Sequence, residues 1–149
     1  MERRDLLAGL AGAPLLAAAP AFAATPPKTP LKILMKSAWG SDDPTKAAFA
    51  FLHGGALAEA GHTVQIFLLG EAVSLMRPSV AKAVVPVGWP PLIEALNNVV
   101  ARKVQIYSCG ACSRARDITE TELANWGAKF GSPPILVSLI EWADRVVTE

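Results

Sequence analysis

The chain of 149 residues is 52% hydrophobic and 18% charged, which suits one globular domain with an ordinary core and argues against disorder. Its 14 lysines and arginines are scattered among 13 acidic residues, with no basic run longer than two, so the composition disfavours nucleic-acid binding. The formal net charge of +1 favours neither an acidic nor a basic partner.

The first 23 residues have the pattern of an export signal. Arg3 and Arg4 precede an apolar run over residues 6–19, and the tripeptide Ala-Phe-Ala at 21–23 provides the small residues that a signal peptidase requires. The paired arginines resemble a twin-arginine signal, so we expect a periplasmic mature protein. The apolar run is shorter than the roughly 20 residues that span a bilayer, and no membrane segment is expected in the mature form.

Residues 24–30 are proline-rich and predict a short extended tether, so the folded domain is expected over residues 31–149. Within that domain, runs typical of strands alternate with segments of helical spacing. The strands are expected at 31–36, 63–69, 104–107 and 145–148, with a short segment at 129–130. The helices are expected at 44–60, 92–102, 119–126 and 133–143.

A long stretch between the second strand and the second helix, residues 71–91, is expected to be an irregular loop. Five helix-breaking residues interrupt it: Pro78, Pro86, Gly88, Pro90 and Pro91. A loop of this length usually has a functional or interface role.

The alternation of strands and helices predicts an α/β fold with a mostly parallel sheet of about five strands, because parallel strands need helical crossovers. Ligands of such sheets gather beyond the carboxyl ends of the strands. Three loops, 37–43, 71–91 and 108–117, are therefore expected to meet at one edge of the sheet.

One of these loops carries the only two cysteines of the chain, Cys109 and Cys112. A strand end followed by a helix start directs free backbone N–H groups at a thiol, and Arg114 and Arg116 add positive charge. Both effects favour thiolate, the form that attacks a disulfide or persulfide sulfur. Cys109 is therefore a candidate nucleophile, with Cys112 as its resolving partner.

The same spacing also fits an inert disulfide or two buried core thiols, and spacing alone does not separate these alternatives. A zinc site is disfavoured because His53 and His62 lie elsewhere in the chain without ligand spacing. Haem attachment is disfavoured because Ser113 stands where that motif has histidine. Asp42 and Asp43 would repel the phosphate of a flavin after the first strand, so no cofactor is expected.

Several segments together resemble the DsrE/DsrF/YchN-like sulfur-relay proteins. They are residues 32–34, 61–68, 109–118 with Cys109, Cys112 and Arg116, and 143–147. The resemblance implies a flavodoxin-like three-layer sandwich, assembled as a trimer or hexamer, in which the cysteine at position 109 carries persulfide sulfur between partner proteins. Asp117 stands where that family usually has glycine, which predicts an altered turn and a negative charge near the thiols.

Together these features lead to the hypothesis of a periplasmic sulfurtransferase or sulfur carrier that accepts or transfers sulfane sulfur through Cys109. Cys112 would resolve the persulfide or form a disulfide, and Arg116 would stabilise the anionic sulfur. Two alternatives remain open at this point. One is a non-catalytic oligomeric binding module with structural cysteines, and the other is a thiol-disulfide oxidoreductase that uses both cysteines.

Overall fold

A computed structural model describes residues 29–149, so the predicted export signal and most of the tether lie outside the described residues. The domain contains one five-stranded sheet in which every pair of neighbouring strands is parallel, in the order β4-β3-β2-β1-β5. The strands are β1 (Lys32–Ser37), β2 (Thr63–Leu68), β3 (Gln105–Cys109), β4 (Lys129–Gly131) and β5 (Arg145–Thr148). The α/β class and the parallel sheet predicted from the sequence are confirmed.

Helical segments join the strands, and four of the six α-helices of the described domain begin at a residue whose side chain caps the first turn. Asp43 accepts the backbone N–H of Lys46 at 3.1 Å and starts α1, in which proline occupies the first position. The α-helices are α1 (Pro44–Glu59), α2 (Pro78–Ala83), α3 (Leu92–Ala101), α4 (Gly110–Arg114), α5 (Glu120–Ala124) and α6 (Pro133–Trp142). None of the helices in residues 29–149 is long and apolar enough to cross a membrane.

The sheet is covered on both faces. Successive side chains of a strand point to opposite faces, so β1 and β2 each contribute to two separate clusters. Met35 and Ile66 contribute to a large core with Phe51 of α1. Leu34 and Phe67, which are the sequence neighbours of Met35 and Ile66, belong to a smaller cluster with Leu139 of α6. The chain therefore forms three layers, with the thinner cover on the α6 side.

The prediction of an irregular loop over residues 71–91 is wrong for its first half. A 3₁₀ helix spans Gly70–Met76, and α2 follows at Pro78–Ala83. Pro78 does not interrupt a helix here, because it occupies the first helical position, where a missing N–H has no consequence. Residues 84–91 remain without regular structure apart from a turn.

Candidate functional site

The three loops expected at the carboxyl edge of the sheet do meet there. The backbone N–H of Gly70 points at Cys112 Sγ, 3.3 Å away, and so connects the end of β2 with the cysteine segment. Gly40 approaches the next residue, Glu71, so closely that a Cβ at position 40 would lie 2.8 Å from the carbonyl oxygen of Glu71. Both cysteines therefore lie at the edge where parallel sheets bind ligands.

Cys109 lies at the junction between β3 and α4. It is the last residue of the strand rather than the first residue beyond it, and it also caps the helix, because its Sγ accepts the backbone N–H of Cys112 at 3.4 Å. A buried hydrogen bond of 2.8 Å between Ser108 Oγ and Ser113 Oγ ties the strand end to the helix. The Cys109 thiol is thus held by a backbone N–H of the helix, and the serine pair fixes the strand end that carries it.

The two cysteines are free thiols that contact each other. Cys112 Sγ donates to Cys109 Sγ across 2.8 Å, and both side chains are half-buried. A disulfide has a sulfur–sulfur distance of about 2.05 Å, so an approach of less than about 1 Å would close one. The pair can therefore act either as one nucleophile with a proton donor or as a dithiol.

The surroundings divide the two thiols into different acid–base roles. Burial tends to raise the pKa of Cys109, but the hydrogen bond from Cys112, backbone N–H groups and the charge of Arg114 together hold that pKa below its ordinary value. Burial and the hydrogen bond that Cys112 donates to Cys109 raise the pKa of Cys112. The backbone N–H of Gly70 acts in the opposite direction but does not cancel this rise. Cys109 is therefore the more acidic thiol of the pair and Cys112 the less acidic one.

The two arginines of the motif have different positions. Arg116 is bound by the carboxylate of Glu71 and donates to the carbonyl oxygen of Cys112 at 3.2 Å. Arg114 is exposed and makes no ion pair with any residue of the described domain. The charge of Arg114 helps to lower the pKa of Cys109, and Arg116 interacts with both Cys112 and Cys109.

We expect the variant Arg114→Gln to raise the pKa of Cys109. Below that pKa, alkylation of Cys109 by iodoacetamide should slow by about two- to fivefold, the range expected for losing one exposed charge interaction. Well above the pKa the rates should converge, because the thiol is then fully ionised in both proteins. The pH profile of alkylation measures this, with Arg145→Gln at the opposite sheet edge as the control. An unchanged midpoint would contradict the role of Arg114.

Asp117 lies in the turn that follows α4, where the resemblance predicts an altered backbone. Its φ is +50°, in the left-handed region that glycine adopts most readily and that aspartate tolerates better than most residues. Its carbonyl oxygen accepts from Arg77 Nη2 at 3.0 Å, which helps to hold the turn. Because glycine would also adopt this conformation, the backbone here suits either residue, and the altered turn stays a prediction.

The histidines lie in places unrelated to the thiol pair. His53 Nδ1 lies 2.7 Å from a carboxylate oxygen of Glu149, and His62 Nδ1 accepts the backbone N–H of Leu31 just before β2, at the amino edge of the sheet. Within the described domain no three metal-ligating side chains come together. Neither histidine is placed to join Cys109 and Cys112 as a ligand.

Comparison with known proteins gives both a family and a fold. The family model for DsrE/DsrF-like proteins matches residues 33–148. An uncharacterized protein of Methanocaldococcus jannaschii is 32% identical over 88 residues, which cover 59% of this chain and 73% of the relative. An uncharacterized protein of Methanopyrus kandleri is 28% identical over 87 residues, or 58% of this chain and 68% of the relative.

Two solved structures share the architecture of this domain. The YchN protein of Escherichia coli superposes with a TM-score of 0.67 at 21% identity, covering 80% of this chain and 99% of YchN. A conserved protein of unknown function from Bacteroides thetaiotaomicron gives a TM-score of 0.54 at 13% identity, covering 79% of this chain and 94% of that protein. At these identities the likeness is one of fold.

Proposed function

This chain belongs to the DsrE/DsrF-like family, and from that membership and the geometry of its thiols we propose that it is a sulfur-relay protein acting through Cys109. The observation that carries the proposal is the pairing of two half-buried thiols 2.8 Å apart, one with a lowered and one with a raised pKa. Two cysteines with a purely structural role would not require pKa values shifted in opposite directions. Perturbed ionisation at a strand end is instead typical of a reactive site.

In the accepting step, the Cys109 thiolate attacks the outer sulfur of a donor persulfide, R–S–SH. A new bond forms between the two sulfurs while the donor S–S bond breaks, and R–S⁻ leaves. The product, Cys109–S–SH, then loses its proton, and the backbone N–H of Cys112 and the charge of Arg114 lie where they can stabilise the anion. No net oxidation takes place, because the transferred sulfur keeps its oxidation state.

Cys112 determines how long the loaded state lasts. Its thiolate can attack the inner sulfur of the Cys109 persulfide, which closes a Cys109–Cys112 disulfide and releases hydrosulfide. Because the pKa of Cys112 is raised by burial, most of this thiol stays protonated and the attack is slowed. The loaded sulfur is thereby kept for transfer to an acceptor protein.

The proposal is tested by loading the purified domain with a persulfide donor, removing the donor, and adding an acceptor thiol. We expect the protein to lose the mass of one sulfur atom as the acceptor gains it. If the loaded protein releases only hydrosulfide, or never gains sulfur, it is not a relay. Cys109→Ser provides the control for uptake elsewhere on the chain.

The short distance between Cys109 Sγ and Cys112 Sγ also favours a second candidate function, thiol-disulfide exchange. That activity requires a reversible dithiol–disulfide couple, which a redox titration against glutathione would reveal. An oxidoreductase would reduce or oxidise a peptide disulfide catalytically and would hold little stable persulfide. Comparing the two assays on one preparation separates the candidates.

We propose in addition that the protein is exported to the periplasm and forms a homo-oligomer. Arg3, Arg4 and the apolar run that follows support export, and amino-terminal sequencing of protein from the periplasmic fraction should start at residue 24. Exposed apolar side chains on α6 and β5, among them Ile140 and Val146, support assembly. Native mass spectrometry that finds only the monomer would exclude the oligomer.

A further inference from the structure

A small apolar cavity lies directly beside Cys109. It has a volume of about 150 Å³ and lies between the end of β3 and the start of α6. Cys109 forms part of its wall, and the other lining residues are Phe67, Leu69, Ala111, Gly131, Ser132, Pro133 and Leu136. Apart from Ser132, the side chains that line it are apolar.

The position of this cavity distinguishes it from the polar side of the site. The polar side consists of Cys112 and Arg116, together with Gly70 and Glu71 of the 3₁₀ helix, and none of these four residues lines the cavity. Cys109 packs against both the large core and the α6 cluster, so its side chain lies between the two regions. A group attached to a reacting sulfur can therefore lie on the apolar side while the charge develops on the polar side.

The size and lining of the cavity indicate what it can hold. A cavity of about 150 Å³ with aliphatic and aromatic walls is large enough for one benzene-sized group. The one polar side chain in the wall, Ser132, already accepts the backbone N–H of Ile135 through its Oγ at 3.5 Å, so a charged substituent or a peptide bond would lose most of its hydration there with little compensation. An aryl or branched alkyl group would be bound favourably instead.

We propose that this cavity makes the site selective for low-molecular-weight persulfides, R–S–SH, whose substituent R is a compact apolar group. The proposal rests on the proposed sulfur relay and names its donor class. In the transfer, R occupies the cavity, Cys109 attacks the outer sulfur, and R–S⁻ leaves as the new S–S bond forms. The same pocket then binds the leaving thiolate through its apolar part, which aligns it for departure.

The experiment compares benzyl persulfide with methyl persulfide, both generated in situ, as donors to Cys109. Each rate is divided by the rate of the same donor with free N-acetylcysteine, which removes differences in intrinsic reactivity. We expect the normalised ratio of benzyl to methyl to be about tenfold or more, as is usual when an apolar pocket binds additional carbon atoms. A ratio within twofold of one would overturn the proposal.

A matched pair of variants tests whether the cavity causes the preference. Ala111 and Ala115 are both exposed, but only Ala111 lines the cavity. Ala111→Leu should therefore fill the space and bring the benzyl-to-methyl ratio close to one, while Ala115→Leu should keep the wild-type ratio. A ratio that survives Ala111→Leu would overturn the assignment of the cavity.

The outcomes also separate this proposal from the relay on which it rests. If Cys109 accepts sulfur equally well from both donors, or only from a protein donor, the relay stands and the selectivity for small apolar persulfides is wrong. If neither small persulfide nor a protein persulfide adds sulfur to Cys109, the relay itself is contradicted and the donor class is contradicted with it.

Discussion

The variant Cys112→Ser should hold its persulfide at Cys109 far longer than the wild-type protein. In the wild type, Cys112 Sγ lies 2.8 Å from Cys109 Sγ, the inner sulfur of the persulfide, and can attack it within the same molecule and release hydrosulfide. An attacking group held this close has an effective concentration far above that of any free thiol, so its removal should slow hydrosulfide release by about a hundredfold or more. A time course of sulfide release, together with intact mass, measures the effect.

Cys112→Ala is the matched control for this variant. It also removes the attacking sulfur but introduces no hydroxyl group, so both variants should retain the persulfide to a similar extent. The wild type should accumulate the Cys109–Cys112 disulfide at the rate at which sulfide appears. Equal sulfide loss from the wild type and both variants would contradict the resolving role of Cys112.

The second large effect is expected at Gly131, the last residue of β4 and the partner of Cys109 in the sheet register. A Cβ at this position would lie 2.6 Å from the ring of Phe67, which is buried and stacks against Tyr107. Gly131→Ala gains up to about 1 kcal/mol from the lower entropy of the unfolded chain. The clash costs about 1–3 kcal/mol, so we expect net destabilisation.

Urea unfolding measures the loss of stability, and alkylation of Cys109 reports whether the strand end has moved. Lys129→Ala is the control, since Lys129 lies in the same strand with an exposed side chain. We expect the control to change the free energy of unfolding by less than about 0.5 kcal/mol, as is usual for surface positions. Wild-type stability in Gly131→Ala would show that the Phe67 ring can move away without cost.

Much of the fold could be predicted because its signals are local. Short apolar or β-branched runs predict strands such as β2 and β5. A capping residue followed by proline, as in Asp43-Pro44, predicts the start of a helix. The strand β4 is harder to predict, because three residues are too few for a periodic pattern. The 3₁₀ helix was missed for a related reason, since it needs only short-range hydrogen bonds and no apolar periodicity.

The candidate site could be predicted only in part. The sequence predicted that Cys109 and Cys112 lie at a strand end, and the structure has them there. This position could be predicted because both cysteines belong to one short motif. The pairing of Arg116 with Glu71 joins residues 45 positions apart, so no local sequence pattern predicts it. The sequence also selected Arg116 as the arginine for the anionic sulfur. In the structure Arg114 adds its charge to the groups that lower the pKa of Cys109, while Arg116 interacts with both cysteines and is held by Glu71.

Peptide mapping after loading with a persulfide donor tests the central claim most directly. We expect one added sulfur atom on the peptide that contains Cys109 in the Cys112→Ser variant, and none in the Cys109→Ser variant under the same conditions. The lowered pKa of Cys109 predicts that loading persists at pH values where an ordinary thiol is mostly protonated. No added sulfur in the Cys112→Ser variant, or equal uptake by the Cys109→Ser variant, would contradict the account.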